Sequence, residues 1–350
     1  MSSGSPFRIG MIGAGSMARA HVYALREIEG VQVTAICDPD PAQVEGAAKA
    51  LGIPFAAAHH RDVLARDDVD AVVIGSPDFA HCEQAVDALR AGTHVLCEKP
   101  MVTSLEECRQ IVAAADASDK VFMVGQVCRF SPGLIAGKRF VDEGQIGNLF
   151  LVESEYAHDY THIHGHGGWR IDPQRLRQPF LGGACHAVDL IRWVGGQPTE
   201  AFAYSNRKSL TDWPVDDCTV AVYRFESGAL GKVICSVGCK RDYTMRSVFW
   251  GTKGTVICDN TSTEITVYLE KAGQGELPAD MPSPQTIPTI IAVGTQVKMI
   301  EAEDRTFIAA ARGEEPLAMD AREGSRTVAA CLAAIESART GQPVRVVKDF

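Results

Sequence analysis

The chain has no apolar run approaching the ~20 residues that a membrane-spanning helix needs. Its opening, MSSGSPFRIG, lacks the charged and apolar regions of a secretory leader, so Ser2 to Ser5 read as a flexible leader and the protein is expected in the cytoplasm. The eleven cysteines include no C-x-x-C pair, and they are scattered and odd in number. This argues against a disulfide framework and a zinc ribbon, and leaves reduced, mostly buried thiols as the expectation. Basic excess is missing too: 34 Lys and Arg stand against 44 Asp and Glu, a formal charge of -10. Nucleic acid and anionic lipid both require a basic footprint, so neither is an expected partner, and a small neutral substrate fits the balance better. There is no internal repeat, and the one stretch rich in Gly and Pro, Gly273 to Pro288, reads as a surface loop.

The 350 residues are more than one domain usually holds, and 46% apolar content supplies a sizeable core. Over the first 125 residues, the strand-like runs RIGMIG, VQVTAIC, DAVVIG, HVLC and VFMVG alternate with helical segments rich in Ala, Glu, Arg and Leu. Such alternation implies right-handed crossovers and a parallel sheet covered on both faces. The first run ends in Gly13-Ala14-Gly15-Ser16-Met17-Ala18 before a helical stretch, which is the G-x-G-x-x-A form of the dinucleotide fingerprint in its strand-turn-helix setting. Gly13 permits the bend, Gly15 lets backbone amides reach a pyrophosphate at the helix N-terminus, and Ala18 allows close packing. Asp38, at the end of the second run, stands where a carboxylate accepts hydrogen bonds from the adenosine ribose. It repels a 2′-phosphate, so NAD is expected and NADP is disfavoured.

Ser76-Pro77-Asp78 ends a later strand, a helix carrying His81 follows, and HVLCEKP then closes another strand on Glu98, Lys99 and Pro100. Ligands of doubly wound sheets bind outside the carboxyl ends of the strands, so Ser76, Pro77, Glu98 and Lys99 are expected to share one crevice with the Gly13 turn. The pattern S/T-P-x-x-x-H followed by A-L-x-x-G-x-H-V-x-x-E-K-P closely resembles the Gfo/Idh/MocA oxidoreductases. The likeness extends through Arg129, Phe130 and the Gly144-x-Ile146-Gly147 turn, a strand-rich second half, and closing helices near the C-terminus. It implies a Rossmann dinucleotide-binding domain over 1–125. Over 126–350 it implies an α+β substrate-binding and oligomerisation domain with a large, mainly antiparallel open sheet, whose exposed face is buried in a homodimer or homotetramer.

In that family the E-K-P lysine lies beside the nicotinamide and the reacting hydroxyl, so Lys99 is the first catalytic candidate. A lysine in a partly desolvated crevice suits proton transfer. The element GGACHAVDLIRWVGG resembles the family's H-x-x-D helix, which assigns His186 to the hydroxyl proton and Asp189 to an orienting role. Many members carry an aspartate four residues before that histidine, where this chain has Gly182, so a Lys-Asp-His triad reads here as a Lys-His pair. The stretch EYAHDYTHIHGHGGWR holds four of the ten histidines. His158, Asp159 or Tyr160 are placed to bind sugar hydroxyls, Trp169 offers a flat face to a pyranose, and Arg170 and Arg129 complete the expected substrate contacts. Alternate histidines in a glycine-containing loop, with no assured carboxylate or cysteine partner, read as a polar loop, and no metal is expected. The implied activity is NAD-dependent oxidation of a secondary hydroxyl of a sugar, sugar derivative or cyclitol. Glycoside cleavage through transient oxidation, for which the histidine cluster is the motive, and a sugar-responsive regulator remain as alternatives.

Overall fold

A computed structural model of the chain describes residues 6–175, 177–270, 288–294, 299–317 and 319–350. The leader and nearly all of the stretch from Gly273 to Pro288 lie outside the described residues.

The first layer comprises β1 (Phe7–Ile12), α1 (Ser16–Arg26), β2 (Val31–Cys37), α2 (Pro41–Leu51), β3 (Phe55–Ala57), α3 (His60–Leu64), β4 (Ala71–Ile74), α4 (His81–Arg90), β5 (His94–Glu98), α5 (Leu105–Asp116) and β6 (Phe122–Gly125). Its six strands run parallel in the order β3-β2-β1-β4-β5-β6. Every residue of β4 and β6 is buried, as expected where helices cover both faces. The order reverses between β1 and β4, which opens a crevice at their carboxyl ends.

The second layer comprises α6 (Pro132–Asp142), β7 (Leu149–Ala157), α7 (Pro179–Gly182), α8 (Cys185–Gly195), β8 (Pro198–Asn206), β9 (Cys218–Phe225), β10 (Leu230–Ser236), β11 (Thr244–Gly251), β12 (Gly254–Asp259), β13 (Glu264–Leu269), β14 (Thr289–Ala292), α9 (Ile300–Ala311), α10 (Ala321–Thr340) and β15 (Val344–Arg345). The sheet order is β14-β13-β12-β11-β7-β10-β9-β8-β15, antiparallel except between β7 and β10. Burial alternates along β9: Thr219, Ala221, Tyr223 and Phe225 are buried, while Val220 and Val222 are exposed. The inner face packs on α8, and α10 lies against β8; the Tyr223 hydroxyl donates to the Ala330 carbonyl at 3.1 Å.

The closing helices are not confined to the second layer. Phe307 of α9 is fully buried in a cluster with Ile9, Met11, Val22 and Leu25, and the Val124 amide donates to the Met319 carbonyl at 2.9 Å. The last part of the chain therefore helps to build the core beneath the first sheet. No helix among the described residues is long and apolar enough to cross a membrane. Phe307→Ala should open a cavity in that shared core and cost about 3–5 kcal/mol in urea unfolding. An unchanged midpoint would mean that α9 merely lies on the first layer.

Candidate functional site

The crevice at the strand ends is built from short turns. Gly13 has φ of 100°, and a Cβ there would press on the backbone of Gly75 and Ser76, so only glycine lets the turns after β1 and β4 meet. Gly15 caps α1, and a Cβ on it would project into open space, leaving room for a pyrophosphate against the first amides of the helix. Asp38, after β2, accepts from the Ala14 amide at 2.9 Å, the Gln43 side chain at 2.9 Å and the Asp40 amide at 3.0 Å. It is thereby fixed at the ribose end. The His81 ring nitrogens lie 3.0 Å from the Pro100 carbonyl and 2.9 Å from the Ser76 carbonyl, so this buried ring braces two turns against each other. Ser76 donates to Gln84 at 2.5 Å.

These turns line a cavity of about 790 Å³ that includes Gly13, Gly15, Ser16, Met17, Asp38, Ser76, Pro77, His81, Glu98 and Lys99. The residues expected to hold NAD are thus brought together, and the open cradle above Gly15 fits a dinucleotide. Among the described residues, the Lys99 ammonium has no hydrogen-bond or ion-pair partner.

Glu98, by contrast, is turned inward. Its Oε2 accepts from the Lys99 amide at 3.0 Å, and its Oε1 lies 3.3 Å from Nε2 of His21, a fully buried residue of α1. Nδ1 of His21 contacts Asp304 of α9 at 2.7 Å, and the buried Glu303 adjoins the cluster. Burial alone would strip His21 of its proton, but the charges and hydrogen bonds of Asp304 and Glu98 outweigh it and hold the imidazole well above its ordinary pKa. Burial works against Glu98 in the same way, yet the His21 hydrogen bond and the Lys99 charge keep the carboxylate below its usual range. Burial and the nearby Glu98 charge raise Glu303 well above its ordinary value, against the opposing charges of His21 and Lys99. His21 and the carboxyls of α9 were missed in the sequence, because a histidine and two acids almost three hundred residues apart carry no local signal.

The far wall of the cavity is the segment from Gly165 to Arg177. His166 reaches across to Asp40 at 3.1 Å, and the Trp169 ring meets Phe79 edge-on with centroids 6.3 Å apart. Arg170 lies 5.1 Å and Arg177 5.2 Å over Trp169, while Arg175 covers Phe79 at 4.3 Å. Arg177 also answers what stands in place of a side chain at 182. A Cβ on Gly182 would overlap the Arg177 guanidinium, so the glycine vacates the space that this arginine fills, and its Nε pairs with the buried Asp78 at 2.8 Å. Both cations act on the start of α8: burial pushes the Cys185 thiol up to about 11, while the charges of Lys99 and Arg177 pull it down.

Of the expected substrate contacts, Lys99, Trp169 and Arg170 line the cavity, and His186, Arg129, His158, Asp159 and Tyr160 do not. Arg129 is occupied elsewhere, forming a two-pronged pair with Asp189 at 2.6 and 2.8 Å, while Thr327 of α10 donates to the same carboxylate at 2.9 Å. It anchors α8 through this pair. Tyr160 shares a 2.7 Å hydroxyl contact with Tyr156, and His158 packs against the rings of Tyr156, Tyr160 and Tyr243. Asp159 is taken up by Thr161 and Lys240. His186 is buried near the start of α8. The histidine run divides, with His166 in the cavity wall against Asp40 and His164 beside Trp213.

Two family models match the chain: an oxidoreductase family, NAD-binding Rossmann fold, over residues 7–126, and a GFO/IDH/MocA C-terminal domain over residues 135–257. Among curated relatives, inositol 2-dehydrogenase 2 of Saccharopolyspora erythraea is 33% identical over 74% of this chain and 75% of its own. A 1,5-anhydro-D-fructose reductase of Ensifer adhaerens is 28% identical over 97% of this chain and 98% of its own. The structure of a levoglucosan dehydrogenase in complex with NADH superposes with a TM-score of 0.85, covering 98% of this chain and 100% of that one at 23% identity, a likeness of fold.

The buried cluster generates a pH-dependent expectation. The raised His21 contributes stability that is complete below the ordinary histidine range and is lost as pH rises through its higher folded pKa. The depressed Glu98 contributes above the ordinary carboxylate range and is lost as pH falls through its lower folded pKa. Between those limits, His21→Gln leaves the buried Glu98 and Asp304 facing each other and should cost roughly 3–5 kcal/mol. Urea unfolding of both proteins should show the largest gap between the ordinary carboxylate and histidine ranges, at about pH 5–6, and a smaller one toward about pH 4, where carboxylates take up protons. A gap independent of pH would refute the charged clamp.

Proposed function

The chain belongs to the GFO/IDH/MocA oxidoreductase family, and on that premise we propose that it oxidises a secondary hydroxyl of a sugar, sugar derivative or cyclitol. NAD, bound along the Gly13 turn and Asp38, supplies the hydride acceptor. The observation that carries the reading is Lys99, an ammonium without a partner at the end of β5, in the same cavity as the dinucleotide turn. There it hydrogen-bonds the substrate oxygen and stabilises negative charge on it as the proton leaves. Its backbone is held by Glu98, so the side chain is free to act while its turn stays put. His186, buried at the start of α8 and outside the cavity wall, enters this reading as the second proton-handling group on the family's H-x-x-D pattern alone. Trp169 gives a flat apolar wall against which a sugar ring is oriented.

We also propose that the chain works as a homo-oligomer through the outer face of its second sheet. Tyr204, Val220, Val222 and Leu230 project from one face of neighbouring strands and are exposed. Exposed apolar residues interspersed with ion pairs such as Lys232–Glu153 are what a symmetric partner covers. Light scattering should find a dimer or tetramer, and Val222→Glu should shift it toward monomer; a wild-type monomer at micromolar concentration would exclude the assembly.

Lys99→Met keeps the length of the side chain and removes the charge. With a substrate found by screening NAD reduction over aldoses, inositols, glycosides and uronic acids, turnover should fall about a hundredfold or more, the scale of a lost acid-base group. NAD affinity, measured by titration, should stay near that of the unmodified enzyme, since the lysine acts far from the adenosine. Unimpaired hydride transfer in single turnover would remove Lys99 from the mechanism.

A further inference from the structure

Two of the cations on the cavity wall, Lys99 and Arg170, have no carboxylate at ion-pair distance among the described residues. Four cations line the cavity: Lys99, Arg170, Arg175 and Arg177. The carboxylates that could neutralise them are committed. Glu98 is engaged by His21 and the Lys99 amide, and Asp38 and Asp40 are held at the ribose end by Ala14, Gln43 and His166. Asp172 stands 3.9 Å from Arg175, and Asp78 binds Arg177. Among the described residues, Lys99 has no anionic partner at hydrogen-bond distance, and the buried Nε of Arg170 has no acceptor.

Arg177 is the most built of these groups. Its side chain is only 9% exposed, its Nε stands at ion-pair distance from Asp78, 2.8 Å away, Trp169 lies beside it, and the missing side chain of Gly182 makes its space. That pairing leaves both terminal Nη nitrogens without an acceptor among the described residues. An arginine fixed by an ion pair at Nε and by packing, with its terminal nitrogens unused, is preorganised to take a planar anion with two parallel hydrogen bonds. The pyrophosphate of the cofactor has its own donors, the amides at the start of α1. We propose that the substrate carries a carboxylate, as in a sugar acid, and that Arg177, supported by Arg170, binds it while Lys99 engages the hydroxyl to be oxidised. The inference rests on the dehydrogenase reading and narrows its substrate class. The formal charge of -10 belongs to the molecule as a whole; the field inside a cleft is set by the groups that line it.

The test uses matched pairs, glucose with glucuronate and galactose with galacturonate, on the full-length enzyme with NAD. Binding is read from the shift in melting temperature and hydride transfer from NADH formation. The acid of at least one pair should bind, and should exceed its neutral partner in kcat/KM by thirtyfold or more. Arg177→Gln should reduce that acid-to-neutral ratio at least tenfold, chiefly through KM, with NAD affinity by titration unchanged. Gly182→Asp, which sets a carboxylate against Arg177, should reduce the ratio in the same direction and stands in if the first variant does not fold. Equal use of acid and neutral partners, or a failure of every acid to bind, overturns the inference while leaving the dehydrogenase reading to the wider panel. Loss of NAD affinity in both variants also overturns it, because Arg177 would then serve the cofactor. Binding of an acid without NADH formation from any member of the wider panel would uphold the carboxylate site and defeat the dehydrogenase reading.

Discussion

The site hangs on a buried carboxylate. Glu98 ends β5 inside the protein, where an isolated charge would cost several kcal/mol, and it is tolerated because His21 meets one oxygen and the Lys99 amide meets the other. That arrangement ties three elements to one point: α1, whose N-terminus faces the dinucleotide, the turn that carries Lys99, and α9 through Asp304. The same contacts that offset the cost of burial therefore hold Lys99 in register with the Gly13 turn. The lysine's own side chain is left out of the clamp and faces the cavity.

Around this point the two layers divide the work. Parallel strands align their carboxyl ends along one edge, so turns far apart in sequence, after β1, β2, β4 and β5, converge on one crevice. The second layer contributes the opposing wall from the segment between β7 and α7. Its large sheet, alternately buried and exposed, is a scaffold whose outer surface mixes apolar side chains with ion pairs. Arg129, Asp189, Thr327 and Arg192 form the buried polar network that fixes α8 to α10, and with it the position of His186.

Exchange of a side chain at 182 for the reach of Arg177 changes the character of the cavity. A carboxylate at that position would sit where the guanidinium now lies. The chain has instead a cation whose countercharge, Asp78, comes from the turn after β4 in the other layer. The Arg177–Asp78 pair is thus also a strut across the crevice, and it stands beside Trp169 in the cavity wall.

The dinucleotide turn, the carboxylate at Asp38 and the lysine at the end of a buried strand were legible in the sequence because each is a local pattern. Glycine spacing sets backbone geometry, and strand-turn-helix order sets where it points. The parallel and antiparallel layers were legible too, from runs buried on both faces in one half and alternating runs in the other. The contacts of longer side chains were not. Arg129 and Asp159 carry the right chemistry for a substrate, but nearer partners, Asp189 and Lys240, claim them in the folded chain. His21, Asp304 and Arg177 looked unremarkable until folding placed them beside Glu98 and Gly182. Sequence determined which backbone turns this protein makes, since those depend on neighbours a few residues away; tertiary structure alone decided which charges meet, since that depends on residues hundreds of positions apart competing for the same buried space.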